Sequence, residues 1–247
     1  MRLHVGTSGY NFPEWKGTFY PEKIKPANML AYYADRLSTV EINYTFYRMP
    51  NAKTVLGWSQ AVPDRFTFVL KTPQRITHIA RLKDIDDSLR YFTEIVRPLG
   101  PKLGPILVQL PPNFKQDLAR LKNFLTRFPA DLRCAFEFRN ATWFTDETYA
   151  ALRAANAALC VADTDDGHTP LEATADFGYF RLRDEGYQPA DLETWAGRLQ
   201  TMGAGWGDAF VFFKHEESGE GPKLAEQFAA RFAVQDPSDA GSGPAFI

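Results

Sequence analysis

Cysteine and histidine are scarce in this sequence, and their scarcity argues against two common kinds of site. Two cysteines, Cys134 and Cys160, occur in 247 residues. Two are too few for a disulfide framework, and we predict reduced thiols in the core. Four histidines occur, and none belongs to a His-x-His or His-Glu-x-x-His pattern. We therefore expect neither a metal nor a cofactor.

Long apolar runs and an excess of positive charge are also missing. No segment approaches the ~20 apolar residues that cross a bilayer. The first strand begins almost immediately after Met1, which leaves no room for a signal peptide. The formal net charge is −2, so no global basic field would recruit nucleic acid or an anionic membrane. We expect a cytoplasmic protein with no membrane partner, and the charge disfavours nucleic acid.

What the sequence does contain is a regular alternation of strand and helix patterns. Apolar residues make up 45% of the chain and aromatic residues 14%, ample for a large core. Eight segments have strand patterns, at residues 3–8, 39–45, 66–71, 106–110, 133–139, 158–163, 179–183 and 209–214. Helix patterns separate most of them, although the connection 165–176 is short and polar.

This alternation predicts a single (β/α)8 TIM-like barrel, which typically takes ~250 residues. The alternative is an open doubly wound sheet. It is disfavoured because Gly6 and Gly9 are not followed by the third glycine of a dinucleotide-binding turn. We predict one domain over residues 1–235. The low hydrophobicity of residues 236–247 predicts a disordered tail.

The strand at 133–139 is the most informative segment. Phe136 and Phe138 share one face, while Glu137 and Arg139 share the other. The outer face of a barrel packs under helices and must be apolar, so the charged pair is expected to point inward. The pair lies near the carboxyl end of the strand, where parallel α/β proteins build their sites.

The same period-two alternation assigns inward-facing polar side chains on the other strands. They are Glu41 and Asn43, Lys71, Gln109, Asp163, and Arg181 with Arg183. The alternation also places Cys134 opposite Glu137 and Cys160 opposite Asp163. Both thiols should therefore face outward, under the helices.

Several spaced motifs resemble a known family. They are Gly6-x-x-Gly9-Tyr10 with Trp15, Val40-Glu41-Ile42-Asn43-Tyr44, Ile76-Thr77-His78, Gln109-Leu110-Pro111-Pro112, Glu137-Phe138-Arg139 with Trp143, and Tyr179-x-Arg181-Leu182. Together they resemble the YecE-like family, catalogued as domain of unknown function 72. The resemblance implies a TIM-like barrel and no particular activity. Two positions depart from it: Arg183 stands where such proteins often carry histidine, and Lys214-His215 stands where they often carry an asparagine pair.

The inward polar residues predict a charged pocket at the mouth of the barrel. We assign Glu41, Glu137 and Lys71 as catalytic candidates, with either carboxylate as general acid/base. Further side chains would bind substrate, and these are Asn43, Arg139, Arg181, Gln109, Asp163, His78, Tyr10 and Trp143. An aromatic wall is expected from Tyr10, Phe46, Tyr47 and Trp143. The alternative is a set of internal ion pairs that fill the barrel, with Arg139 and Arg181 neutralising Glu41 and Glu137.

The leading functional hypothesis is an enzyme acting on a small anionic or polyhydroxylated substrate, with the reaction left open among metal-independent hydrolases, lyases and isomerases. A non-catalytic small-molecule binding protein would use the same pocket, and a nucleic-acid-processing enzyme is a third hypothesis. If the chemistry were glycoside hydrolysis, Glu41 and Glu137 would flank the sugar. Arginine caps that seal both carboxylates from solvent would exclude it.

Overall fold

Eight parallel strands close on themselves, and the strand order returns from the last strand to the first. The computed structural model describes residues 1–164, 167–215 and 219–233. The strands are β1 (Arg2–Thr7), β2 (Thr39–Ile42), β3 (Thr67–Lys71), β4 (Leu103–Gln109), β5 (Cys134–Glu137), β6 (Ala158–Thr164), β7 (Gly167–His168), β8 (Phe177–Leu182) and β9 (Asp208–Phe213). All except β7 belong to the barrel, while β7 pairs antiparallel with the end of β6. The predicted (β/α)8 barrel is confirmed.

Within the described residues, helices follow every barrel strand except β6, and most of them pack on the outside of the barrel. They are α1 (Pro26–Ala34), α2 (Tyr44–Tyr47), α3 (Ala52–Gln60), α4 (Asp86–Val96), α5 (Leu118–Arg127), α6 (Asp146–Ala154), α7 (Pro189–Met202) and α8 (Glu220–Ala233). Asn51, Asp117 and Thr145 cap the N-termini of α3, α5 and α6 with their side-chain oxygens. None of the helices in the described ranges is both long enough and apolar enough to span a bilayer.

Glycine is needed at two positions of the first motif, 6 and 9, for different steric reasons. Gly6 in β1 lies against β2, where a Cβ would meet the carbonyl oxygen of Thr39 at 1.9 Å. Gly9 adopts a φ of +108°, a region that favours glycine. The chain therefore turns sharply out of β1 and brings Tyr10 to the mouth of the barrel.

Side chains alternate between two apolar layers. The outer layer lies between strands and helices. The inner layer fills the lower barrel with Val69, Leu107, Ala135, Ala158, Cys160, Phe177, Tyr179, Phe210 and Phe212. Both cysteines are free and buried. Cys134 belongs to the outer layer, as expected, but Cys160 belongs to the inner one, so its predicted outward orientation is wrong.

The reason is the composition of β6. Its residues from Ala158 to Ala162 are apolar on both faces, so Asp163 alone determined the predicted orientation. That carboxylate faces the helices, where it accepts hydrogen bonds from Tyr187 Oη (2.5 Å) and Trp195 Nε1 (3.0 Å). A satisfied carboxylate can lie under a helix at little cost, which inverts the predicted facing of the strand.

A separate ion cluster closes the amino end of the barrel. Asp208 accepts hydrogen bonds from Arg2 and Arg133 and lies 3.1 Å from His4 Nε2. The His4 ring stacks on Phe210, with 4.5 Å between centroids. The inner apolar layer therefore separates this end of the barrel from the carboxyl end. The predicted domain boundary at residue 235 and the predicted tail at 236–247 lie outside the described residues.

Candidate functional site

A buried ion cluster occupies the barrel axis above the inner apolar layer. Arg181 on β8 donates from Nη1 to Glu137 Oε2 (2.5 Å) and from Nη2 to Glu41 Oε1 (2.8 Å). Tyr179, two residues earlier on β8, donates its hydroxyl to Glu41 Oε2 at 2.6 Å. One guanidinium thus bridges the carboxylates of two strands on opposite sides of β8.

Charge pairing outweighs burial in this cluster. Burial alone would raise the pKa of Glu137, but Arg181, Arg183 and Arg139 together hold that pKa far below its usual range. Burial would likewise lower the pKa of Arg181, yet Glu137 and Glu41 raise it well above normal. Arg181 and Glu137 are therefore both charged at neutral pH, and Glu137 resists protonation.

A cavity of about 850 Å³ opens above this cluster at the carboxyl ends of the strands. Its cationic lining residues are Lys71, Arg139, Arg181, Arg183 and Lys214. Among the described residues that line it there is no aspartate or glutamate. A second cavity of about 680 Å³ adjoins it and shares Arg139, Arg183 and Lys214, and Glu137 and Glu185 also line it. The lining of the larger cavity is therefore positive, and Glu41 and Glu137 lie beneath it.

Lys71 is the last residue of β3 and points into the cavity. Its backbone carbonyl accepts a hydrogen bond from Thr45 Oγ1 at 2.6 Å, which ties β3 to α2. The ammonium lies 4.0 Å from the centroid of the Phe46 ring. Within the described residues it forms no ion pair with a carboxylate. Burial, followed by the charge of Arg181, lowers the pKa of Lys71 to about 8.

His78 reaches the same cavity from a π-helix, Arg75–Ile79, in the connection after β3. Its Nδ1 lies 2.9 Å from the buried Thr77 hydroxyl, and its ring packs edge-on against Phe46 at 4.8 Å. Burial, then the charges of Lys71 and Arg139, lowers the pKa of His78. Single π-turns within helical segments are frequent at functional sites.

The segment after this π-helix is strained. Arg81, Leu82 and Asp84 have positive φ angles of 49°, 65° and 50°. Three such residues within four positions are unusual without glycine. Leu82 is 1% exposed, so packing of its side chain holds the chain in this conformation behind His78.

A model of the family described as protein of unknown function DUF72 matches residues 4–244. The chain belongs to the DUF72 family. UPF0759 protein YecE of Escherichia coli (strain K12) is 30% identical over 143 residues, 58% of this chain and 50% of the relative. The chain therefore spans about half the length of that relative. UPF0759 protein YunF of Bacillus subtilis (strain 168) is 23% identical over 265 residues, 91% of this chain and 93% of the relative.

Solved DUF72 structures share the architecture. A DUF72 family protein from Thermotoga maritima superposes with a TM-score of 0.83 at 28% identity, covering 94% of this chain and 100% of its own. One from Enterococcus faecalis has a TM-score of 0.79 at 19% identity, covering 95% and 96%. The descriptions of these relatives name no substrate. Membership in the DUF72 family therefore establishes the barrel and leaves the reaction to the chemistry of the site.

The DUF72 fold brings most of the predicted site residues together. Those that line the larger cavity are Tyr10, Asn43, Lys71, His78, Gln109, Arg139 and Arg181. Glu41 and Glu137 lie below it with no exposed surface. Arg181 caps both, and Arg139 Nε also donates to Glu137 Oε1 at 3.1 Å. These caps meet the condition that excludes glycoside hydrolysis, so that hypothesis is withdrawn.

Two predicted members lie elsewhere. Asp163 packs under α7, for the reason given above. Trp143 is fully buried in the outer layer, where its indole donates to the Phe114 carbonyl at 2.7 Å and its ring stacks on Phe138 at 4.7 Å. Placing it in the aromatic wall was wrong, because the chain after β5 folds back over the outward-facing phenylalanines instead of over the mouth.

The wall also contains residues that the predicted site omitted. Its aromatic members are Tyr10, Phe12, Tyr44, Phe46, Tyr47 and Trp58. Five buried polar atoms on the lining residues have no hydrogen-bond partner among the described residues, and these are Ser8 Oγ, Asn43 Oδ1, Gln109 Nε2, Arg181 Nε and Arg183 Nε. The signal for Ser8 was its position directly after a strand end. Trp58 lies on α3 and gave no such signal.

No three histidine, cysteine, aspartate or glutamate side chains within residues 1–164, 167–215 and 219–233 converge in an arrangement that could hold a metal. The carboxylates that come nearest the axis, Glu41 and Glu137, are both occupied by Arg181. What the site offers a ligand is a set of cations, amides and hydroxyls beside an aromatic surface.

Proposed function

We propose that this DUF72 family protein is an enzyme that binds a small anionic substrate in the larger cavity, with Lys71 as its reactive group. The observation that carries the proposal is the distribution of charge. Five cationic side chains line the cavity, and no aspartate or glutamate does among the residues described there.

The depth of the charges supports an anion over a neutral sugar. The side chains of Arg139 and Arg183 are 37% and 16% exposed, whereas the side chain of Glu137 is 1% exposed. A ligand that enters the larger cavity would meet guanidinium groups before it met Glu137. Guanidinium forks match carboxylate and phosphate groups bidentately, which a neutral hydroxyl group exploits less well.

The position of Lys71 supports a catalytic role for its amine. Glu41 and Glu137 were the acid/base candidates from the sequence, but both are engaged by Arg181 beneath the cavity. Lys71 lines the cavity itself, and its pKa of about 8 leaves a useful fraction of neutral amine at physiological pH. A group whose pKa lies near the working pH serves as an efficient acid or base.

Thermal unfolding with an anion panel tests the binding step. A ligand at about 100 times its Kd stabilises a fold by about 2.7 kcal/mol, which for a chain of this size raises Tm by roughly 5–11 °C. Phosphate, sulfate and small carboxylates are the probes. At least one should raise the Tm of the wild type. Arg139→Gln should reduce that shift, and the double variant with Arg183→Gln should abolish it.

Arg90→Gln provides a matched control, because it removes one positive charge from the outer surface of α4. If no anion shifts the wild type, or if Arg90→Gln weakens the shift as much as Arg139→Gln does, the anion proposal fails. Lys71→Met then separates an enzyme from a binding protein. Loss of turnover in a metabolite screen with the anion shift retained indicates catalysis, whereas a binding protein would show no turnover in any variant.

A further inference from the structure

We propose that Lys71 forms an imine with a small anionic carbonyl compound and that His78 transfers a proton in that step. The inference rests on the proposed function, because it requires an anion-binding cavity. It goes further by naming the substrate class, a carbonyl compound that carries a carboxylate or phosphate. It also gives His78 a catalytic role.

The surroundings of Lys71 suit a nucleophile better than a fixed ion pair. The side chain is 9% exposed, and its ammonium lies over the face of Phe46. Phe46 can stabilise the ammonium form but offers no proton acceptor. Burial and the nearby Arg181 favour the neutral amine, which is the nucleophilic form. The two carboxylates that could hold the charge are themselves held by Arg181.

The cationic wall supplies the anchor for the acidic end of the substrate. Arg139 and Arg183 lie on the lining shared by the two cavities, and Lys71 lies in the larger one. A substrate whose carboxylate rests on these guanidinium groups can direct its carbonyl carbon toward the amine. Its negative charge also offsets the positive charge of the iminium that forms, which the arginines alone would disfavour.

The step balances without an oxidant or reductant. The neutral Lys71 nitrogen attacks the carbonyl carbon, the C=O π pair moves to oxygen, and the nitrogen gives a proton to His78. The alkoxide oxygen takes a proton from the solvent, which gives the carbinolamine. His78 then returns its proton to the hydroxyl, which leaves as water while the nitrogen lone pair forms the C=N bond. The neutral amine, the carbonyl compound and one solvent proton thus give one iminium and one water.

The location of His78 fits this shuttle. The His78 ring and the Lys71 ammonium both contact Phe46. The centroids of the His78 and Phe46 rings are 4.8 Å apart, and Lys71 Nζ lies 4.0 Å from the Phe46 centroid. The Thr77 hydroxyl pairs with Nδ1, which orients the ring. The strained chain at Arg81 and Leu82 fixes the π-helix that carries it.

Reductive trapping tests the imine. The protein is incubated with pyruvate, acetoacetate or dihydroxyacetone phosphate and sodium borohydride, and the reduced adduct is then located by intact mass and peptide mapping. We expect one adduct per chain, on Lys71. The adduct should be absent in Lys71→Arg. It should be unchanged in Lys83→Arg, which replaces an exposed lysine in the connection between β3 and α4. Excess phosphate should suppress it.

The proton role has its own readout. His78→Asn should slow trapping by cyanoborohydride about 100-fold, the typical contribution of a general acid–base group. The anion-induced Tm shift should persist in this variant. An unchanged trapping rate overturns the role of His78.

The outcomes separate this inference from the proposed function. An arginine-dependent Tm shift with no adduct on Lys71 from any probe overturns the imine and leaves anion binding in place. Labelling spread equally over Lys71 and Lys83 also overturns it. The absence of any anion-induced shift overturns both.

Discussion

Replacing Arg181 with methionine would remove the one group that neutralises both buried carboxylates. Among the described residues, Glu41 would keep only the hydrogen bond from the Tyr179 hydroxyl, while Glu137 would keep Arg139 and Arg183 at its edge. Removing one partner of a buried ion pair typically costs about 3–5 kcal/mol, because an uncompensated charge remains. We expect Arg181→Met to lower the free energy of unfolding by about that amount near neutral pH.

The pH dependence of this loss identifies its cause. In the wild type the pKa of Glu137 is lowered, so its contribution is present above the unfolded-state pKa and is lost only as pH falls through the folded one. Without Arg181, a buried carboxylate is left without its full set of cationic partners, and burial favours the protonated form of such a group. The variant would then bind a proton on folding and gain stability relative to the wild type as pH falls. Between the raised pKa of that carboxylate and its unfolded-state pKa, each pH unit of acidification narrows the stability difference between the variant and the wild type by about 1.4 kcal/mol per proton bound.

Urea unfolding at about pH 7.5 and about pH 5, a range in which folded wild-type Glu137 stays ionised, measures both quantities. The triple variant Arg181→Met, Glu41→Gln, Glu137→Gln should recover most of the loss, since it removes the charges together. Arg139→Gln is the control, because its pairing is partly exposed and should contribute less than about 1 kcal/mol. A loss from Arg181→Met that stays below about 1 kcal/mol, or that grows on acidification, would refute the reasoning.

Two further predictions concern residues outside the cavity. Cys134 and Cys160 should react with a disulfide reagent only at the rate of global unfolding. Burial raises the pKa of Cys134 to about 12 and that of Cys160 well above its usual value, so neither thiol forms a thiolate readily in the folded protein. Rapid reaction of either thiol in the native protein would contradict this prediction. Asp163→Ala should lower the free energy of unfolding by about 2–3 kcal/mol, because the buried donors of Tyr187 and Trp195 lose their acceptor. The anion-induced Tm shift should be unchanged. Loss of that shift would show that Asp163 belongs to the site after all.

The barrel could be predicted from the sequence because its determinants are local. Strand patterns recur with helix patterns between them, and that alternation has few folded solutions. Element ends were less accurate. The second strand was predicted to reach residue 45 but ends at Ile42, because Tyr44–Tyr47 forms the short helix α2. Its aromatic residues fit either structure, and contact with β3 decides between them.

The site could be predicted where one face of a strand is polar and the other apolar. Phe136 and Phe138 opposite Glu137 and Arg139 left one possible facing for β5. On β6 both faces are apolar up to Asp163, so the predicted orientation of the strand depended on that one side chain and was wrong. Facing was therefore predictable only where several residues on a strand agreed.

The sequence offered the pairing of Arg139 and Arg181 with Glu41 and Glu137 as an alternative, but it could not predict the net charge of the pocket. Lys71, Arg139 and Arg181 balance Glu41, Glu137 and Asp163 in number, so composition alone suggested a neutral pocket. That balance depended on Asp163, whose carboxylate lies outside the barrel. A single reversed strand thus converts an even count into an excess of positive charge.

Arg183 enlarges that excess. One of its guanidinium nitrogens lies 3.6 Å from Glu137, and its side chain lines the cavity. Glu137 already has Arg181 and Arg139 as partners, so a third cation is not needed to neutralise it. Burial lowers the pKa of Arg183, yet a guanidinium retains its proton under physiological conditions. The extra charge is therefore available to a ligand, which favours a substrate with a strongly negative terminal group, such as phosphate or a carboxylate.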